Sequence, residues 1–383
     1  MTLAECGQTE GNLIEAKEIA RRLLEPDSLG ILSRKPLMDE ELPEVSDIDL
    51  LAIWDKPEEH VERRTVMCSK GRVFVDIMWI PVGAMLDSRT AAGYRMLPHL
   101  LMESDEVWMQ SDAVRSMVNR IRLNVYDRSI WERRLGSQIS FGDAAFREVS
   151  RNLDFPPASL FYLQMAHAYY LTAVADSTRQ SVMSIMTRPM AKLRKIDSLL
   201  GCDLENRFIE NLLLNADPSD SLVSLKKLHD AVSSRCKAQN IPGVAARTQG
   251  HYLYSVSPVE LEYRESVAHA LIHRGDLPAA HCYLRFWAYS LVRCPVVLEE
   301  AREGVRPSFY VPFRPLRESM ERSFPEGIDI FARIIGNGIT RADVEESVRG
   351  TAAFRENIVG IIQRNGLHPA TCPEGGSAAK KKG

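Results

Sequence analysis

Two stretches of the chain alternate in a way that suits strands. In Asp47-Ile48-Asp49-Leu50-Leu51-Ala52-Ile53-Trp54 and in Gly71-Arg72-Val73-Phe74-Val75-Asp76-Ile77-Met78-Trp79-Ile80, apolar residues dominate, and successive side chains of an extended chain point to opposite faces. Residues 11–25 instead place Leu13, Ala16, Ile19, Ala20, Leu23 and Leu24 on one helical face, with Pro26 ending the helix. A short strand is predicted at Ser28-Leu29-Gly30-Ile31-Leu32, followed by a polar loop from Ser33 to Val45. A hairpin turning at Ser69-Lys70-Gly71 leads into the second β-rich run. A helix-and-strand stretch from Ala91 to Trp108 and a helix from Ser111 to Leu123 complete a small α/β unit.

Past residue 125 the period changes to that of helices, which predicts a boundary near Tyr126. Leu160, Leu163, His167, Tyr170, Leu171 and Val174 fall on one stripe, and Leu261, Ala268, Leu271 and Ile272 form part of another. Pro156-Pro157, Asp217-Pro218-Ser219, Arg274-Gly275-Asp276 and Cys294-Pro295 punctuate this half. The end, Pro373 to Gly383, has no large apolar residue and reads as a disordered tail. The expected division is 1–125, 126–365 and a tail at 366–383.

The strands carry the chemistry. Asp47 and Asp49 lie two apart and so share a face, while Ile48 and Leu50 point into a core. Asp76 stands among apolar neighbours, where a carboxylate is costly unless bonded, paired or bound to a cation. Three acids on neighbouring strands suit a hard divalent ion such as magnesium or manganese, whose shell substrate phosphates complete. A nucleoside triphosphate is the implied substrate.

Composition narrows the class. With 383 residues and 45% hydrophobic content, two domains are expected. A net charge of -3 supplies no field for a polyanion, so nucleic acid is the less expected partner. The seven cysteines form no CxxC pair, which argues against a disulfide framework or a structural zinc site. The first residues lack a basic start and apolar run, and no stretch approaches the ~20 apolar residues of a membrane span, so a cytoplasmic enzyme is expected.

On the Ser46-Asp47-Ile48-Asp49-Leu50-Leu51 motif, the preceding helix, the lone Asp76 on a later strand and, more weakly, Leu100 to Trp108, the first 125 residues resemble the nucleotidyltransferase domain of the DNA polymerase β superfamily. The nearest likeness is to the small bacterial branch that includes kanamycin and lincosamide nucleotidyltransferases. The resemblance implies an α+β, polymerase β-like N-terminal domain with a short mixed sheet, followed by a mostly helical C-terminal domain. It implies that Asp47 and Asp49 bind two magnesium or manganese ions and that Asp76 binds the one nearer the attacking group or acts as general base. Family members carry a Gly-Ser pair after the first strand; here the matching place is Leu32-Ser33-Arg34, which lacks the glycine, and Ser33 and Arg34 become the expected triphosphate contacts.

In the helical half, Arg188, Lys192 and Lys195 fall at i, i+4 and i+7 and would put three cations on one helix face; facing the metal cleft they would bind the triphosphate, whereas a solvated basic face is the commoner outcome. His269 and His273 have helical zinc spacing without a third ligand nearby, and His167 reads as a core histidine. Tyr283, Phe286, Trp287 and Tyr289 suit helix packing better than an acceptor pocket. The expected activity is magnesium-dependent transfer of a nucleoside monophosphate, AMP from ATP, to a hydroxyl of a small polar acceptor such as an aminoglycoside-like sugar or natural product, with release of pyrophosphate. A cationic acceptor would call for acids in its pocket, with Glu260, Glu262 and Glu265 as candidates. Transfer to tRNA or protein, and a catalytically silent nucleotide- or partner-binding domain, are the alternatives; the oligomeric state stays open.

Overall fold

Five strands build the sheet: β1 (Ser28–Arg34), β2 (Asp47–Trp54), β3 (His60–Cys68), β4 (Gly71–Pro81) and β5 (Ser104–Met109). Their order is β3-β4-β2-β1-β5. Only β2 and β4 run parallel; every other pairing is antiparallel. The sheet is therefore mixed, as expected. The computed structural model describes residues 17–34, 47–57, 60–68, 71–214, 216–239, 253–302, 313–323 and 325–369. The predicted first helix is described only as α1 (17–23); most of the polar loop, the turn residues Ser69 and Lys70, and residues 370–383 of the expected tail lie outside the described residues. The tail's first residues, 366–369, are ordered, with Leu367 buried and the His368 amide donating to Glu132 at 3.1 Å.

The alternation of β2 and β4 decides what covers each face. Leu50, Ala52, Trp54, Val75, Ile77 and Trp79 share a core with Ile31 and with Ile19 and Ala20 of α1. The opposite rows, Leu51, Ile53 and Ile80, join Leu32 beneath α2 (Ser88–Gly93), α3 (Leu97–Met102) and α4 (Asp112–Asn124). Ser111 caps α4 by accepting from the Val114 amide. Asp47, Asp49 and Asp76 extend this second set of rows beyond the patch that the helices cover.

The remainder is helical: α5 (Arg128–Arg151), α6 (Pro156–Ser177), α7 (Met190–Leu200), α8 (Leu204–Asn211), α9 (Ser219–Gln239), α10 (Pro258–His273), α11 (Leu277–Arg302), α12 (Phe313–Ser323), α13 (Glu326–Gly336) and α14 (Arg341–Arg364). The stripe expected around His167 is a correction in kind. Residues Pro157 to Ser177 of α6 are buried all round, because α5, α14 and α13 pack about this helix. A helix surrounded on every side needs no polar face. His167 is the core histidine the sequence suggested, its Nε2 2.9 Å from Thr351 Oγ1.

A buried polar knot ties the helices to the sheet unit. Asp176 of α6 accepts from Arg134 Nε at 2.8 Å and from Trp131 Nε1 at 3.1 Å, with His99 of α3 at 3.5 Å. Arg134 also donates to the carbonyls of Ala92 at 2.7 Å and Val125 at 3.0 Å. Burial would raise the Asp176 pKa, but His99 and Arg134 hold it down to about 2. No described helix is long and apolar enough to cross a membrane.

Candidate metal and nucleotide site

Strand pairing assembles the acids. In the parallel β2–β4 register, Asp49 is the direct partner of Asp76, and Asp47 lies one pleat away on the same face. One carboxylate oxygen from each of Asp47, Asp49 and Asp76 falls within 4.8 Å of the others, the one such metal-capable group among the described residues. A cluster of hard oxygen donors at this separation fits a divalent cation of the magnesium class. The carboxyls of Asp49 and Asp76 titrate above the usual range because burial disfavours their charge and Asp47 adds repulsion, against relief from nearby arginines. Crowded carboxylates of this kind gain stability from any cation placed among them.

Two guanidiniums already stand there. Arg34, at the end of β1, donates to Asp49 Oδ2 at 2.7 Å and lies 3.7 Å from Glu103. Arg63 of β3 donates to Asp76 and reaches Asp47 Oδ2 at 3.3 Å. From behind, Arg63 is gripped by α10: its Nε is 2.6 Å from Glu260 Oε2, and its guanidinium stacks 3.4 Å from the Tyr263 ring centre. Glu260 is fully buried and also takes Arg264 Nε at 2.6 Å, while Arg264 donates to Tyr283 Oη at 3.1 Å. Glu260, Tyr263 and Arg264 share one side of α10 because they are three and four residues apart. Burial alone would lower the Arg63 pKa, but Asp76 and Glu260 raise it overall.

The acids open into a cleft of about 240 Å³. Arg34, Asp47, Asp49, Arg63, Asp76, Leu100 and Ser104 line it from the sheet unit. Met183, Ser184, Thr187, Arg188, Tyr263, Arg264 and Tyr283 line it from the helical half.

The residues singled out from sequence divide accordingly. Asp47, Asp49, Asp76, Arg34 and Arg188 meet at the cleft. Ser33 does not line it: it sits within β1, buried, with its Oγ donating to the Arg34 carbonyl at 3.3 Å. Arg188 is not on the same helix face as Lys192 and Lys195, because α7 begins only at Met190 and Pro189 disfavours helical backbone at the residue before it. Lys192 and Lys195 lie on α7 and are absent from the lining. His269 and His273 are exposed on α10. Of the aromatic group only Tyr283 reaches the cleft; Trp287 and Tyr289 are buried in the helical core.

Arg63, Glu260 and Arg264 were not expected as a group. The antiparallel β3–β4 pairing, with Cys68 opposite Gly71, sets Arg63 opposite Asp76. The hairpin was signalled by the expected turn at Ser69-Lys70-Gly71, but a turn that includes Gly71 does not give this register. The partnership with Glu260, nearly two hundred residues away, has no local signature.

No protein-family model matches the chain, and no curated protein does. Among solved structures it is similar to a nucleotidyltransferase-like protein from Exiguobacterium sibiricum 255-15, with 10% identity, 84% of this chain and 91% of that chain covered, and a TM-score of 0.31. So distant a likeness does not bear on the chemistry of the site.

Proposed function

We propose that the protein is a divalent-cation-dependent nucleotidyltransferase. The observation that carries this reading is the Asp47, Asp49 and Asp76 oxygen cluster at the mouth of an arginine-lined cleft. These three residues would hold magnesium or manganese, which when bound supplies charge neutralisation for a triphosphate and for the transition state of in-line displacement. Arg34 and Arg188, which line the cleft, would bind phosphate oxygens. Leu100 and Met78 add apolar surface to the cleft lining. The transferred group is a nucleoside monophosphate, AMP in the simplest case. An acceptor hydroxyl attacks the α-phosphorus, a new phosphoester forms, and pyrophosphate leaves.

The acceptor would lie between the sheet unit, residues 1–125, and the helical region, residues 126–365. Apart from the acid triad, the charged residues lining the cleft among the described residues are Arg34, Arg63, Arg188 and Arg264. Glu260 is committed to Arg63 and Arg264, and neither Glu262 nor Glu265 lines the cleft. An uncharged or anionic hydroxyl compound therefore suits the cleft better than a polycationic aminoglycoside.

A catalytically silent nucleotide-binding role draws support from one observation, the neutralisation of the acids by Arg34 and Arg63. Incubation with labelled nucleoside triphosphates, magnesium and neutral, anionic and cationic hydroxyl acceptors separates the readings. Transfer that disappears in Asp47→Ala and Asp49→Ala is the expected result. Transfer unchanged by those substitutions refutes the assignment of the site, and absence of transfer with retained triphosphate binding favours the silent role.

A further inference from the structure

We infer that this centre takes one divalent cation, not two, because Arg63 permanently holds the second cation position. The inference rests on the metal reading proposed above and concerns its stoichiometry. Paired metals in phosphoryl transfer sit about 4 Å apart and share carboxylate ligands, so a second ion must coordinate oxygens of two acids at once. Here one oxygen of Asp76 and one of Asp47 both lie against the same terminal nitrogen of Arg63. A divalent ion bridging Asp47 and Asp76 would have to displace that guanidinium or tolerate it at contact distance, and like charges at that range repel strongly.

Displacement is obstructed by what surrounds Arg63. Its side chain is 2% exposed, its plane is stacked on Tyr263, and its Nε faces a Glu260 carboxylate that is itself fully buried. Swinging Arg63 away would strand the Glu260 oxygen it pairs with in the interior. Arg34 differs. Its side chain is 11% exposed, and its second acid, Glu103, is 3.7 Å away, a looser anchor that lets the guanidinium yield to an ion at Asp49. The two arginines thus divide the site. Arg63 supplies a fixed positive charge built into the fold, and the Asp47–Asp49 side receives the exchangeable cation. Arg63 is a positioning residue for the acids, and α10 sets its place.

The test counts Mn2+ bound to the full chain by electron paramagnetic resonance, with and without α,β-methylene-ATP as a non-transferable triphosphate. One Mn2+ per chain with an uncoupled spectrum is expected in both conditions. Two ions with a spin-coupled spectrum would overturn the inference and leave the metal site standing, whereas no binding would overturn the metal reading and the inference with it. Arg63→Gln, with folding checked by circular dichroism, should admit a second Mn2+ at least tenfold more tightly than the parent chain, and Arg63→Lys should stay at one. An Arg63→Gln chain that folds and still binds only one ion would show that Arg63 does not hold the position. If Arg63→Gln fails to fold, the wild-type count alone decides the matter.

Discussion

Asp49 and Asp76 are direct partners across the parallel pairing of β2 with β4, side by side on one face of the sheet. Like charges held opposite each other are unfavourable unless a cation lies between them. The expected consequence is metal-linked stability. Saturating magnesium should stabilise the parent chain by about 2–3 kcal/mol at a hundredfold excess over its dissociation constant, and it should do nothing for Asp49→Asn. Thermal unfolding with and without magnesium measures this; an equal shift in both proteins would place the ion elsewhere. The same substitution should lower any transfer activity on the order of a thousandfold.

Glu260 joins buried Arg63 to half-buried Arg264, and its replacement breaks both pairs at once. Glu260→Gln should cost about 3 kcal/mol in urea unfolding, since it removes the one anion that both guanidiniums share in this buried cluster. Transfer should fall as well, because Arg63 loses the anchor that sets its position beside Asp76. A variant with unchanged stability would show that the cluster contributes nothing net.

Asp176 offers a pH test. Its carboxyl sits at about 2 in the folded chain, below the ordinary 3.8, so the folded state binds fewer protons than the unfolded state between those values. The stabilisation is complete above about pH 4 and is lost as pH falls toward 2, a change of about 2–3 kcal/mol. Asp176→Asn should flatten the stability curve across that window and destabilise the protein at neutral pH by about 3–5 kcal/mol, because Arg134 keeps its charge.

His167 titrates at about 3, against an ordinary value of 6.5, because burial disfavours the imidazolium. The unfolded chain takes up this proton as pH drops below 6.5 and the folded chain does not, so stability present above 6.5 declines on acidification. By pH 5 the loss from this residue is about 2 kcal/mol. Replacing it with leucine leaves Thr351 bonded to the Ser347 carbonyl at 2.8 Å. His167→Leu should therefore reduce the difference in urea midpoint between pH 7 and pH 5, and an undiminished difference would assign that pH dependence to other groups such as His281.

Gly142 of α5 marks the close approach of α5 to α6. A Cβ there would lie 2.4 Å from the Tyr170 ring, far inside contact distance. Gly142→Ala should cost about 1–3 kcal/mol through overpacking, measured by denaturant unfolding. Pairing it with Tyr170→Leu should recover part of the loss if the ring is the obstacle.

The Asp-Ile-Asp spacing, the β-rich run around Asp76 and the helical period after residue 125 were legible in the chain because strands and helices impose fixed periods on their own residues. So was the hairpin, although the register that sets Arg63 opposite Asp76 depends on Gly71 belonging to β4 and not to the turn. Those features are local, and local geometry follows from neighbours a few positions apart. Ser33 and the three cations around Arg188 were harder, because a strand continued two residues past the point expected for β1 and a helix began two residues after Arg188. End positions turn on caps and packing partners. What the tertiary structure alone decided is the return of α10 against β3, which buries Glu260 and Tyr263 behind Arg63 and fixes a positive charge beside the acids. Residues so far apart in sequence meet only through packing of the whole core, so no short pattern carries their partnership. The sequence determined that three carboxylates share a face; the packed structure determined which cations they meet there.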